Sequence, residues 1–233
     1  MRITLPSGTE AEIERVAGAT RGLVVIPDIW GMRPLFDDLV NRFASEWGMT
    51  TVAIEPFPAR DFPDLGTNPD TRFAAVPKLR DTDKYRDLAE AADATGCSSV
   101  GLIGFCMGGM YCFKASQLER DGRPLFDRIA SFYGMITTPE AWKSETHESP
   151  LDILKRGGSG AARAYASNVL AVIGGGDQWT PGPEVEDLRS TGVTVAFYPQ
   201  AEHGFAHDAS RPTHRPDDAR DAFERAKNWL AGG

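Results

Sequence analysis

The chain has 233 residues, 41 % hydrophobic and 25 % charged, the balance of a globular protein long enough to bury a core without disulfides or metals. A net charge of −8 and no arginine-rich tract exclude nucleic acid as an expected partner. Three cysteines with no Cys-x-x-Cys pair exclude a disulfide scaffold and a zinc site, and no apolar run approaches the roughly 20 residues that cross a bilayer. The stretch Met1 to Gly8 lacks the apolar centre of a signal peptide, so the expected location is the cytoplasm, where a thiol stays reduced.

Ile3 to Leu5 and Glu10 to Val16 read as an antiparallel hairpin turning at Ser7-Gly8. Gly22 to Ile26 is a fully apolar strand. Pro34 to Trp47 is a helix, with proline in its first turn and Leu35, Phe36, Leu39, Val40 and Phe43 on one face. Thr50 to Ile54 is the next strand, followed by a proline-rich loop from Glu55 to Pro69. That loop is either a wall of the site or plain surface. A helix over Asp81 to Ala94 leads to the strand Ser99 to Ile103 and a helix running to about Glu119. Arg128 to Tyr133 is another strand.

Residues 135–166 are polar and irregular apart from a short helix near Leu151 to Lys155, as a lid over the site or an ordinary crossover would be. Strands at Asn168 to Ile173 and Thr194 to Tyr198 and a helix over Pro216 to Leu230 complete the chain. Strands alternating with helices predict an α/β fold with a mostly parallel, doubly wound sheet. One continuous pattern without repeat or linker predicts a single domain over residues 1–233.

Gly104-Phe105-Cys106-Met107-Gly108-Gly109 joins a buried strand to a helix. Its G-x-C-x-G spacing is that of a nucleophile elbow with cysteine in place of serine. Side chains two residues either side of the nucleophile would collide in so sharp a turn unless they were glycine. The helix N-terminus also favours a thiolate. Two plainer accounts exist: Cys106 as a small buried hydrophobe, and the glycines as a phosphate cradle.

A thiol nucleophile needs a base, and the base needs an orienting carboxylate. Asp177 follows the strand that ends in Gly174-Gly175-Gly176, and His203 follows the next one through Pro199-Gln200-Ala201-Glu202. Taken alone, Asp177 could cap a helix starting near Pro181 or Pro183, and His203 could be an ordinary loop histidine. Together with Cys106 they stand in the order nucleophile, acid, histidine, each past a strand end, where such sheets bind ligands. Cys97 and Cys112 read as structural.

These residues, with Ile26-Pro27-Asp28-Ile29-Trp30-Gly31, Ser131-Phe132-Tyr133-Gly134 and Ala201-Glu202-His203-Gly204-Phe205, make nearly the whole chain resemble the dienelactone hydrolase family, carboxymethylenebutenolidases of the α/β-hydrolase fold. The resemblance implies a triad of Cys106, His203 and Asp177. It implies an oxyanion hole from the N–H groups of Ile29 and Met107. It implies that Asp28, where the family typically has glutamate, pairs with the resting thiol. It also implies a substrate-carboxylate partner at His207, where the family has arginine, and a second at Arg72 or Arg80. Trp30, Phe57, Phe62, Tyr133, Trp179 and Phe205 stand near strand ends or in adjoining loops and either line an apolar pocket or belong to the core, with Trp30 the favoured pocket residue. No metal or organic cofactor is implied, and the expected state is a monomer.

The implied reaction is hydrolysis of an activated ester or enol lactone through a thioester. Thiolate is a better leaving group than alkoxide, so it is expelled again unless the alcohol side departs easily. Two rivals stand beside it. One is a binding or regulatory protein on a hydrolase fold that no longer turns over. The other is a thiol redox protein, which would need Cys112 to resolve Cys106.

Overall fold

The computed structural model describes residues 1–156 and 165–232. The chain opens with an antiparallel pair, β1 (Arg2–Thr4) and β2 (Glu10–Glu14), and β2 then pairs antiparallel with β4 (Thr50–Ile54). From β4 onward the sheet is parallel: β4, β3 (Arg21–Ile26), β5 (Ser99–Phe105), β8 (Arg128–Phe132), β9 (Val169–Gly174) and β10 (Thr194–Tyr198) lie side by side in that order. The two-residue strands β6 (Glu119–Arg120) and β7 (Arg123–Pro124) form a separate small hairpin.

Helices cover both faces, so alternate residues of each central strand enter different cores. On one face α1 (Pro34–Trp47) and α7 (Pro216–Leu230) pack Phe36, Phe43, Phe223 and Leu230 onto Val25, Ile103 and Phe132. On the other, α3 (Asp81–Thr95), α4 (Met107–Ala115), α5 (Pro150–Arg156) and α6 (Gly182–Ser190) pack Leu88, Met110, Leu154 and Leu188 onto Val24, Leu102 and Ile129. Neighbours Val24 and Val25, or Leu102 and Ile103, thus face opposite cores, which explains why these strands read as unbroken apolar runs. Among the described residues no helix is long and apolar enough to cross a membrane.

Two local features differ from expectation. Helix α2 (Pro69–Ala75) begins where a loop was expected to end. Its start is a local device: Asn68 accepts from the N–H groups of Asp70 (2.9 Å) and Thr71 (3.4 Å), with Pro69 in the first turn. Helix α4 begins at Met107 and ends at Ala115, short of Glu119, because the chain turns there into β6. The excursion over 135–166 includes residues 157–164, which lie outside the described residues; before them, a 3₁₀ turn (Glu140–Trp142) and α5 bury Trp142, Leu151 and Leu154.

Candidate active site

Strand β5 delivers Cys106 at φ 56°, ψ −117°, a left-handed backbone that a non-glycine residue adopts only where its surroundings enforce it. The Cys106 N–H donates to the Phe132 carbonyl at 3.0 Å. A side chain at Gly104 would fall on the Gly108 carbonyl, and one at Gly108 on the carbonyls of Ile26 and Pro27. The glycines therefore let the turn close against the neighbouring strand, and Cys106 sits at the N-terminus of α4, in contact with both apolar cores.

His203 follows β10 and Asp177 follows β9. His203 Nδ1 lies 2.8 Å from Asp177 Oδ2, and Asp177 Oδ1 accepts from the Trp179 N–H at 2.8 Å. These bonds assign the proton to Nδ1. Nε2 is buried without a hydrogen-bond partner among the described residues, and Cys106 acts electrostatically on the ring. Burial pulls the His203 pKa down, but the charge on Cys106 and the hydrogen bond to Asp177 outweigh it and raise the value to about 10. A protonated His203 is the state this arrangement favours.

The loop after β3 is fixed from two sides. Asp28 Oδ1 accepts from the Trp30 N–H at 3.0 Å, and Arg72 donates from Nη1 to the Ile29 carbonyl at 3.1 Å. Met107 is the first residue of α4, so its N–H has no acceptor within the helix. Trp30 is half-buried against the core that also holds Met107.

Five residues do not take their expected places. Asp28 was expected to pair with the resting thiol. Its carboxylate is instead taken by Arg33, at 2.7 and 2.9 Å, and by His207 Nε2 at 2.8 Å. These partners outweigh burial and hold Asp28 at about 2. His207 was expected to meet a substrate anion. Its side chain is 0 % exposed, and Tyr133 Oη takes its Nδ1. Burial drives its pKa down against the pull of Asp28, so the ring is neutral, donating from Nε2 to Asp28 and accepting the Tyr133 hydroxyl at Nδ1. It stacks on Phe105, with ring centroids 5.0 Å apart.

Tyr133 and Phe205 are likewise fully buried, 5.7 Å apart between centroids, and are not open to a ligand. Tyr133 instead sets its ring edge against His203 at 5.3 Å. Arg80 points into solvent near Asp83. Arg72 does reach the site, on the Ile29 carbonyl.

Sequence reasoning missed Arg211. Its guanidinium fills the space a side chain at Gly204, next to His203, would need, and among the described residues it has no carboxylate partner. No motif marks it, because the loop that returns it toward His203 has no regular pattern. Cys112 is fully buried, and burial pushes its thiol well above the ordinary range, so it is a poor resolving cysteine.

The fold is shared with α/β-hydrolases of known structure. The crystal structure of a Klebsiella pneumoniae protein provisionally named a dienelactone hydrolase superposes with a TM-score of 0.82 at 22 % identity, covering 100 % of this chain and 98 % of that one. A dienelactone hydrolase-like promiscuous phosphotriesterase from metagenomic libraries gives 0.68 at 17 % identity, over 100 % of this chain and 97 % of the other. Carboxymethylenebutenolidase 2 of Cupriavidus pinatubonensis is 24 % identical over 227 residues, 93 % of this chain and 88 % of that protein. Residues 10–232 match the model of the dienelactone hydrolase family, and the chain belongs to that family. It is a hydrolase of the class that acts on lactones and esters.

Proposed function

We propose that this enzyme hydrolyses activated esters or enol lactones by acyl transfer through Cys106. His203 holds the thiol proton with Nδ1 anchored on Asp177, and the thiolate attacks the carbonyl carbon. The tetrahedral oxyanion is received by the N–H groups of Ile29 and Met107, a contribution of about 3 kcal/mol per donor. The C–O bond to the leaving group breaks as His203 returns the proton, leaving a thioester on Cys106. Water, deprotonated by His203, attacks the thioester and releases the acid and the thiol.

The observation that carries this reading is His203 seated between the Asp177 carboxylate and Cys106, with its pKa raised to about 10 by both. The name of the Cupriavidus relative points the same way for an enol lactone. The test is the rate on cis-dienelactone and p-nitrophenyl acetate, wild type beside Cys106→Ala. Loss of both rates in the variant supports the reading. Equal inactivity of both proteins, with tight retention of an ester analogue, would favour a binding protein instead.

A further inference from the structure

We propose that the site at Cys106 holds a flat, conjugated apolar group of its substrate against an aromatic wall whose open rings are Phe73 and Trp179, backed by the buried Trp142. This rests on the hydrolase reading above and narrows its substrate class.

The three rings come from separate loops at the same sheet edge. Phe73 is on α2, after β4; Trp142 is in the turn after β8; Trp179 is in the loop after β9. Between β4 and β8 lie β3 and β5. Three strand spacings put those two strands about 14 Å apart. Yet the rings of Phe73 and Trp142 meet at 5.8 Å between centroids. Their contact therefore joins segments that leave the sheet on either side of β3 and β5, the strands that lead into Ile29 and Cys106.

Trp142 then stacks on Trp179 at 6.4 Å with 12° between planes. Trp179 is held at the acid of the site, since its N–H donates to Asp177. Trp142 is 3 % exposed and is packed into the core on the α4 face of the sheet. The outer rings, Phe73 and Trp179, are 38 % and 37 % exposed, among the few large apolar side chains left open to water among the described residues.

Rings left open on either side of a buried one offer faces for stacking, which suits a planar conjugated group. The cation beside this wall does not recruit an anion. Arg72 is committed to the Gly66 carbonyl at 2.8 Å and the Ile29 carbonyl at 3.1 Å, and it lies over the Phe57 ring. The acyl-transfer chemistry converges on the same class: a thiolate expels phenolates and enolates in preference to alkoxides, and those groups are flat and conjugated.

The test compares kcat/KM for phenyl acetate and vinyl benzoate, each divided by that for vinyl acetate, in wild type, Phe73→Ala and Trp179→Ala. Loss of one stacking face predicts a fall of about tenfold in at least one ratio, chiefly through KM, and rescue by Trp179→Phe. Ratios within twofold of wild type in both alanine variants would overturn the proposal. A calorimetric titration of Cys106→Ala with coumarin, a flat neutral lactone, reads the wall without turnover. Binding weakened about tenfold by adding Trp179→Ala supports the wall even if no ester is hydrolysed, and binding indifferent to that change overturns it. Thermal melts of each variant establish that it is folded.

Discussion

Asp28 and His207 meet at 2.8 Å in the interior, although 179 positions separate them in the chain. The contact joins the loop after β3, which carries Ile29, to the loop after β10, which carries His203. Tyr133, on the other nitrogen of His207, ties in the end of β8. A residue pair suggestive of substrate contact is thus a brace between the loops that carry the proposed chemistry.

Asp28→Asn should destabilise the protein by about 3 kcal/mol, because it leaves Arg33 and His207 without their shared carboxylate. Urea unfolding at pH 7 measures this. The sign of the acid dependence follows from Asp28 being held at about 2 against an ordinary 3.8. Its contribution is complete above 3.8 and is lost as the pH falls through 2, roughly 2 kcal/mol in all. An acid profile that is the same in wild type and Asp28→Asn across that window would refute the assignment.

His203 should titrate near pH 10 instead of near 6.5. Its pKa is raised in the fold, so the stability it contributes is complete below pH 6.5 and disappears as pH climbs through 10. Nitrogen-15 NMR of the histidines follows this directly. Cys106→Ser removes the sulfur charge, and the His203 midpoint should drop toward the ordinary value. A wild-type midpoint near 6.5 would refute the raised His203 value.

Gly108→Ala should be among the most damaging single methyl additions. The new carbon would run into the carbonyls of Ile26 and Pro27, which are backbone and cannot swing aside. Relief requires a shift of either the elbow or the loop that carries Ile29. We expect a loss of about 2 kcal/mol in stability and about 100-fold in kcat, the scale of one misplaced oxyanion donor. Gly182→Ala, which meets open space, is the control and should change neither.

Arg211→Gln tests the cation that packs on Gly204 beside His203 without a carboxylate partner among the described residues. With Arg72 bonded to backbone carbonyls and paired with Glu55, and His207 neutral, we propose Arg211 as the group that meets a substrate carboxylate. KM for cis-dienelactone should rise about tenfold, the scale of one charged hydrogen bond, while p-nitrophenyl acetate changes less than twofold. Equal effects on the two substrates would assign Arg211 a role in packing the His203 loop alone.

The sequence by itself determined the alternation of strands and helices, the elbow around Cys106 and the positions of Asp177 and His203 past strand ends. Each of these follows from local chemistry: apolar runs that form parallel strands, glycines that allow a closed turn, proline at a helix start. The bonds of Asn68 that begin α2 are equally local but were hidden in a stretch rich in proline. The fates of Asp28, His207, Tyr133 and Phe205 depend on partners far away in the chain, as do the packing of Arg211 and the meeting of Phe73, Trp142 and Trp179. Only the tertiary structure decided these, because whether a polar or aromatic side chain is buried or open depends on which loops the sheet order brings together, and no local pattern records that order.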